Sequence, residues 1–251
     1  MKKLRRVTEA EVVAEFLKNE FYQEEFHRDR RHFEPLVLEA DLSNEAENAI
    51  RRALLFRRRG HMWRELPDDT HWWDVQLETE DLSRIRVFPR AQWRKIANGS
   101  FLLSDIVHRI RTEKYDGKVR DFIAKIHSLS YTLRAEHDRS SVILIGVDES
   151  QLITILEGNH RLTAACLASP GLLEQRFRVI LGFSPRMIES CWYETNLANL
   201  WRYAKNRMKN LYERDADLER ALSSAPALSS NRALVEAMPK ANRQGAAETV
   251  R

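Results

Sequence analysis

Residues 157–161, Glu-Gly-Asn-His-Arg, gather in one short stretch the side chains that hold and move phosphate. A guanidinium such as that of Arg161 clamps a phosphate through two parallel hydrogen bonds, and the imidazole of His160 binds an oxygen or carries a proton near neutral pH. Asn159 adds an amide, Thr163 adds a hydroxyl shortly after, and Gly158 lets the backbone turn sharply beside a ligand. Glu157 precedes the turn by one residue, close enough to act as a base, to help hold a magnesium ion, or to cap the next helix. The chemistry these types suggest is binding or transfer of a phosphoryl group. Glu157 and His160 are the catalytic candidates, Glu157 is the metal candidate, and Gly158, Asn159, His160, Arg161 and Thr163 are the phosphate ligands.

Such side chains act only where secondary structure brings them together. The run Leu152–Leu156 predicts a strand, and Asn159–Ala168, rich in small residues, predicts a helix that stops before Pro170-Gly171. The turn thus falls where a strand ends and a helix begins, and the first N–H groups of that helix, at the positive end of its dipole, suit an anion. Ser141–Val147 predicts the partner strand, with Asp148–Gln151 as the connection, and Phe177–Phe183 predicts a third strand. Ser184-Pro185-Arg186 follows that third strand. Ligands collect at the carboxyl ends of strands in open α/β sheets, so Arg186 is expected as a further phosphate ligand.

The strand, the acid-Gly-x-His-Arg turn and the small-residue helix resemble the signature of the ParB/sulfiredoxin superfamily, over residues 85–183. The resemblance implies an α+β fold, a small mixed sheet with surrounding helices, and a nucleotide (ATP or CTP, with magnesium) held at the turn. Members of that superfamily use the nucleotide differently: partition proteins clamp DNA with CTP, sulfiredoxins repair an oxidised cysteine with ATP, and a free-serine kinase phosphorylates a small amino acid. Asn159 stands where sulfiredoxins carry their nucleophilic cysteine, which argues against sulfinic acid repair. Asn159-His160-Arg161 also differs from the Glu-Arg-Arg of partition proteins, and no helix-turn-helix is recognisable after Thr195. The small-molecule kinases, with acid-Gly-His-His-Arg, come nearest. The resemblance therefore implies an ATP-dependent phosphotransferase with a small-molecule acceptor. The alternative is a nucleotide-dependent module that binds DNA or a protein without transferring phosphate, DNA being the less favoured partner.

Four regions are expected around this motif: a helical extension over 1–60, the core over 61–195, a packing helix over 196–222 and a disordered tail over 223–251 with a short helix near Asn231–Met238. The first region should hold one helix from Thr8 to about Phe26, with Thr8 and Glu11 as a capping box, and a second from Asn44 to Arg59, ended by Gly60. Arg57, Arg58 and Arg59 read as cations suited to a helix C-terminus. Within the core, strands are expected near Trp73–Leu77 and Ile85–Phe88, and helices over Leu102–Arg111 and Val119–Ser130. The tryptophans of residues 61–93 read as packing residues. In the stretch Thr195–Glu213, Leu197, Leu200, Trp201, Ala204, Met208 and Leu211 share one helical face, which should pack on the sheet and leave Arg202, Lys205, Arg207 and Lys209 outside.

Bulk properties narrow the class further. A chain of 251 residues that is 43% hydrophobic supports a core, and a formal net charge of +4 is too mild for a dedicated nucleic-acid binder. The basic start runs into a polar helical pattern without the apolar segment of a signal peptide, and the longest apolar run, Val142–Val147, is far below the roughly 20 residues of a membrane span. A cytoplasmic protein with no membrane partner is the expectation. Cys166 and Cys191 lack metal or redox spacing and read as reduced, buried thiols. His27 and His32 lack further ligands for zinc, and Asp68-Asp69 reads as an exposed turn.

Overall fold

In the computed structural model, residues 1–135, 141–169 and 178–224 are described. In chain order the first elements are β1 (Lys2–Val7), α1 (Glu9–Glu20), α2 (His27–Leu38), α3 (Glu45–Trp63), β2 (His71–Gln76) and β3 (Ile85–Arg86). There follow α4 (Ala91–Ala97), α5 (Leu103–Thr112), α6 (Gly117–Ala135), β4 (Ser141–Gly146), β5 (Ile153–Glu157), α7 (Asn159–Ala168), β6 (Arg178–Phe183) and α8 (Leu197–Ser223). Phe177, expected in the third strand, and the helix expected near Asn231–Met238 lie outside the described residues. The described residues divide into two compact units, one within residues 1–7 and 66–196, the other within residues 8–65 and 197–224.

The first unit is mixed α+β around one six-stranded sheet of order β1-β2-β6-β4-β5-β3. β6 and β4 run parallel, as do β3 and β5, while β2 is antiparallel to both β1 and β6 and β4 is antiparallel to β5. Every residue of β4 and β5 is buried, which explains their unbroken apolar runs: a strand covered on both faces needs no alternation. At the edge, β1 exposes five of its six residues, and Lys2, Lys3, Arg5 and Arg6 discourage pairing with another edge. Residues 2–7, expected in a helical extension, therefore belong to the sheet. α7 has six buried residues in a row, Leu162–Leu167, as befits a helix with apolar contacts all round. It packs against α5 and α6. Trp72, Trp93 and Trp192 lie in the interior of this unit.

The second unit is helical. Thr8 caps α1 by accepting from the Glu11 N–H, and Asn44 caps α3 in the same way from Glu47. α2 was not foreseen, because its sequence, His-Arg-Asp-Arg-Arg-His-Phe-Glu-Pro-Leu-Val-Leu, is mostly charged and buries only Asp29, Phe33 and Val37. Asp29 explains part of this charge: its carboxylate pairs with Arg57 at 3.0 Å and with Arg58 at 2.7 Å, and Arg59 pairs with Glu20 at 2.6 Å and Glu25 at 2.8 Å. The Arg57–Arg59 run is thus an internal ion-pair network. The expected helix end at Gly60 is also corrected, since α3 continues through it to Trp63.

α8 departs furthest from expectation. It packs along α3 with a face other than its apolar stripe, and the face it buries carries Asn199, Asn210, Leu218 and Leu222. Arg64 reaches from the end of α3 to Glu213 at 3.0 Å and Asp217 at 3.2 Å. The stripe expected to be core is outside: Leu197 is 86% exposed, Trp201 66% and Tyr212 79%.

Candidate functional site

β5 delivers Glu157 opposite Ile143 of β4, and the chain then turns at Gly158 into α7. Gly158 has φ 96° and ψ 20°, a conformation that only glycine adopts without strain. A Cβ there would also stand 3.1 Å from Cγ2 of Val142. Gly158→Ala is therefore expected to cost about 1–3 kcal/mol, read as a lower midpoint of urea unfolding; an unchanged midpoint would show that the turn accepts a side chain.

The N-cap of α7 is Gly158, which has no side chain to cap the helix, whereas Thr8 and Asn44 cap α1 and α3. The N–H of Leu162 donates to Gly158 O at 2.9 Å, closing the first turn, and the amides of residues 159–161 point toward the start of the helix. His160 is exposed, and its ring lies 5.4 Å from that of Trp93 on α4 and 5.0 Å from that of Phe122 on α6. Those two rings meet edge to face at 4.9 Å and form an aromatic wall beside the imidazole.

The other residues of the motif have internal partners. Nη2 of Arg161 donates to both carboxylate oxygens of Glu157 at 2.6 Å, with the two side chains 16% and 11% exposed. The Oδ1 atom of Asn159 accepts from the N–H of Phe88 at 3.3 Å, which fastens the 88–90 segment beside the turn. Arg90 arrives with that segment, its guanidinium 4.4 Å from the ring of Trp192 and 5.3 Å from that of Phe88. Sequence reasoning missed Arg90, Trp93 and Phe122; the Phe88-Pro89-Arg90 break after a short strand was the available signal. Thr163 is fully buried and its hydroxyl donates to Asn159 O at 2.8 Å, so it serves the helix backbone and does not face a ligand.

Arg186 is not brought to the turn. Because β5 runs antiparallel to β4 and β4 parallel to β6, the end of β5 at Glu157 is level with Ile143 and Ile180, whereas Phe183, after which Arg186 leaves the sheet, is level with Gly146 and thus with Ile153. Three residues of β4 and of β6, about 10 Å, separate the two levels. Arg186 instead lies on the exposed 3-10 turn Pro185–Glu189, 3.7 Å from Glu189.

The donor set does not suit magnesium at Glu157. Both carboxylate oxygens are bonded to Arg161, and among the described residues no group of three His, Cys, Asp or Glu could hold a metal ion. Glu157 is not placed to ligate a metal without releasing Arg161. Cys166, on α7, is buried, and burial pushes its thiol up to about 12, where it is not nucleophilic near neutral pH.

The Ser150–Leu152 end of the sheet, opposite the Glu157 turn, has its own concavity of about 490 Å³, lined by Arg84, Arg86, Ser150, Leu152, Tyr193 and Glu194 among others. There Arg86 stacks 4.6 Å over Tyr193 and donates from Nε to Thr154 Oγ1 at 2.6 Å. Burial draws its proton affinity below the ordinary range for arginine. No family model, no curated protein and no solved structure matches this chain.

Proposed function

We propose that residues 158–161 hold the phosphates of a nucleotide, ATP or CTP, and that the protein is an ATP-dependent phosphotransferase of ParB-like fold acting on a small-molecule acceptor. The observation that carries this reading is the start of α7 directly after a glycine at φ 96°, with Arg161 in the first turn of the helix. Backbone N–H groups and a guanidinium then converge where negatively charged oxygen is most stabilised. Magnesium accompanying the nucleotide would supply charge neutralisation.

Glu157 takes a different role from a standing base. A phosphate that engages Arg161 competes with the Glu157 carboxylate for the same guanidinium, so nucleotide binding releases a carboxylate beside the reacting centre. The acceptor hydroxyl then loses its proton to Glu157 while its oxygen bonds to the terminal phosphorus. The bond from that phosphorus to the bridging oxygen breaks, leaving the nucleoside diphosphate. His160, against Trp93 and Phe122, orients a phosphate oxygen or carries a proton.

The test is thermal unfolding with ATP, CTP, GTP and ADP, with and without magnesium, followed by phosphorus NMR of reactions containing candidate acceptors. At ligand concentrations a hundredfold above Kd, stabilisation of about 2.7 kcal/mol is expected. Stabilisation by none of the nucleotides removes the reading; binding with release of inorganic phosphate alone leaves hydrolysis or a binding module in its place.

A further inference from the structure

The exposed face of α8 is not a scatter of single apolar residues. At 100° per residue, Leu197, Leu200, Trp201, Ala204, Met208, Leu211 and Tyr212 fall within about one third of the helix circumference. All seven are exposed. The opposite side is the one that packs against α3, where Asn199 and Asn210 are buried and Asn206 bonds to Glu65. The stripe is about 22 Å long, from 1.5 Å of rise per residue. Charge follows the same segment. Residues 197–212 contain Arg202, Lys205, Arg207 and Lys209 and no acidic residue. All four are exposed, Lys205 and Arg207 flank the stripe on its two sides, and Lys205 lies 5.6 Å from the Trp201 ring. Glu213, the nearest acid in sequence, is 3.9 Å from Lys209 and also holds Arg64.

We propose that this face of α8 docks on an anionic lipid surface, with Leu197, Leu200, Trp201, Met208, Leu211 and Tyr212 entering the headgroup boundary and the flanking Lys205 and Arg207 reaching lipid phosphates. A second copy of the chain is a poor occupant, because self-pairing would bring the Lys205 and Arg207 side chains of two copies, like charges, along one stripe. A rigid protein partner is disfavoured by size: one stripe of roughly 22 by 10 Å is well short of the 800 Å² per partner of a stable interface. A bilayer needs no complementary shape, accepts protruding tryptophan and tyrosine at its boundary, and attracts Lys and Arg. Such binding needs no spanning segment, and no helix among the described residues is long and apolar enough to cross a membrane.

The test is flotation of the full chain with vesicles of phosphatidylcholine alone or mixed with phosphatidylglycerol. Each basic residue contributes about fivefold to partitioning onto an anionic surface, so binding to the mixed vesicles should exceed binding to neutral ones at least about tenfold and weaken with salt. Trp201→Glu with Met208→Glu should abolish it, and Lys205→Glu with Arg207→Glu should reduce it by tenfold or more, roughly. All four positions are exposed, so melting temperature and helical signal should stay near those of the parent chain. A folded chain that stays in the aqueous fraction with anionic vesicles overturns the proposal, as does equal flotation of the variants. A solution dimer that Trp201→Glu dissociates, or an acidic protein partner bound through this face without lipid, assigns the stripe to that occupant instead.

Discussion

Arg161→Ala is expected to lower stability by about 2–4 kcal/mol, a structural loss that must be separated from any effect on ligand. The size follows from what the substitution leaves behind. Glu157 ends a fully buried strand, its side chain is 11% exposed, and both of its oxygens are bonded to Nη2 of Arg161. Without the guanidinium, a carboxylate stays mostly out of water with the Arg161 charge gone, and losing that charge costs more than the pair contributes. Adding Glu157→Gln should therefore recover much of the loss, because a neutral amide is cheaper to bury. Urea unfolding of the four members of this cycle measures the coupling. Equal midpoints for the parent and Arg161→Ala would show that the pair contributes nothing. The cycle also makes the functional test clean. Nucleotide affinity is compared between Glu157→Gln and the double variant, which differ only in the guanidinium, and a loss of roughly tenfold or more is expected if Arg161 binds phosphate.

That result bears on what the sequence could reveal. The Ile153–Leu156 run, Gly158 and the Leu162–Ala165 segment announce a strand, a turn and a helix, and those elements stand within a residue or two of expectation because their patterns are local. The Glu157–Arg161 pair was not legible from helical spacing, because Glu157 ends β5 and only Arg161 lies on α7. Strand direction was not legible. Arg186 sits at the carboxyl end of β6 as expected, but β5 runs the other way, so the carboxyl ends of the two strands lie at opposite ends of the sheet. No residue pattern within either strand encodes that choice, which depends on how β4 connects to each. Arg90, Trp93 and Phe122 come to the turn through packing of α4 and α6, far from it in sequence.

α8 shows the converse error, in which a strong local pattern gave the wrong face. Its 3.6-residue apolar period is real, and burying that period is the default for a helix on a folded core. The α3-facing side instead relies on close approach and polar contacts: Arg64 to Glu213 and Asp217, Asn206 to Glu65, and His61 against Tyr203 at 6.0 Å between rings. Hydropathy scores such a side as solvent-facing. The Arg57–Arg59 run misled in the same way, because its partners, Glu20, Glu25 and Asp29, come from other segments.

Gly60→Ala should reveal how closely α3 and α8 approach, through a change of sign. In an ordinary helix interior this substitution stabilises by about 1 kcal/mol. Here a Cβ at residue 60 would lie 1.8 Å from Oδ1 of Asn210, which is buried on α8. Asn210 is short and enclosed, so relief requires the helices to separate or the amide to take a strained rotamer, and the expected net effect is destabilisation by about 1–3 kcal/mol. Asn210→Ala should by itself cost little, within about 1 kcal/mol, because Oδ1 accepts no hydrogen bond from the described residues. In that background the collision is gone, and Gly60→Ala should turn stabilising by about 1 kcal/mol. Chemical unfolding of the parent, both single variants and the double variant reads the inversion directly. If Gly60→Ala stabilises in both backgrounds, α3 and α8 do not meet at this point, and the polar seat that turns the apolar stripe of α8 outward loses its main support.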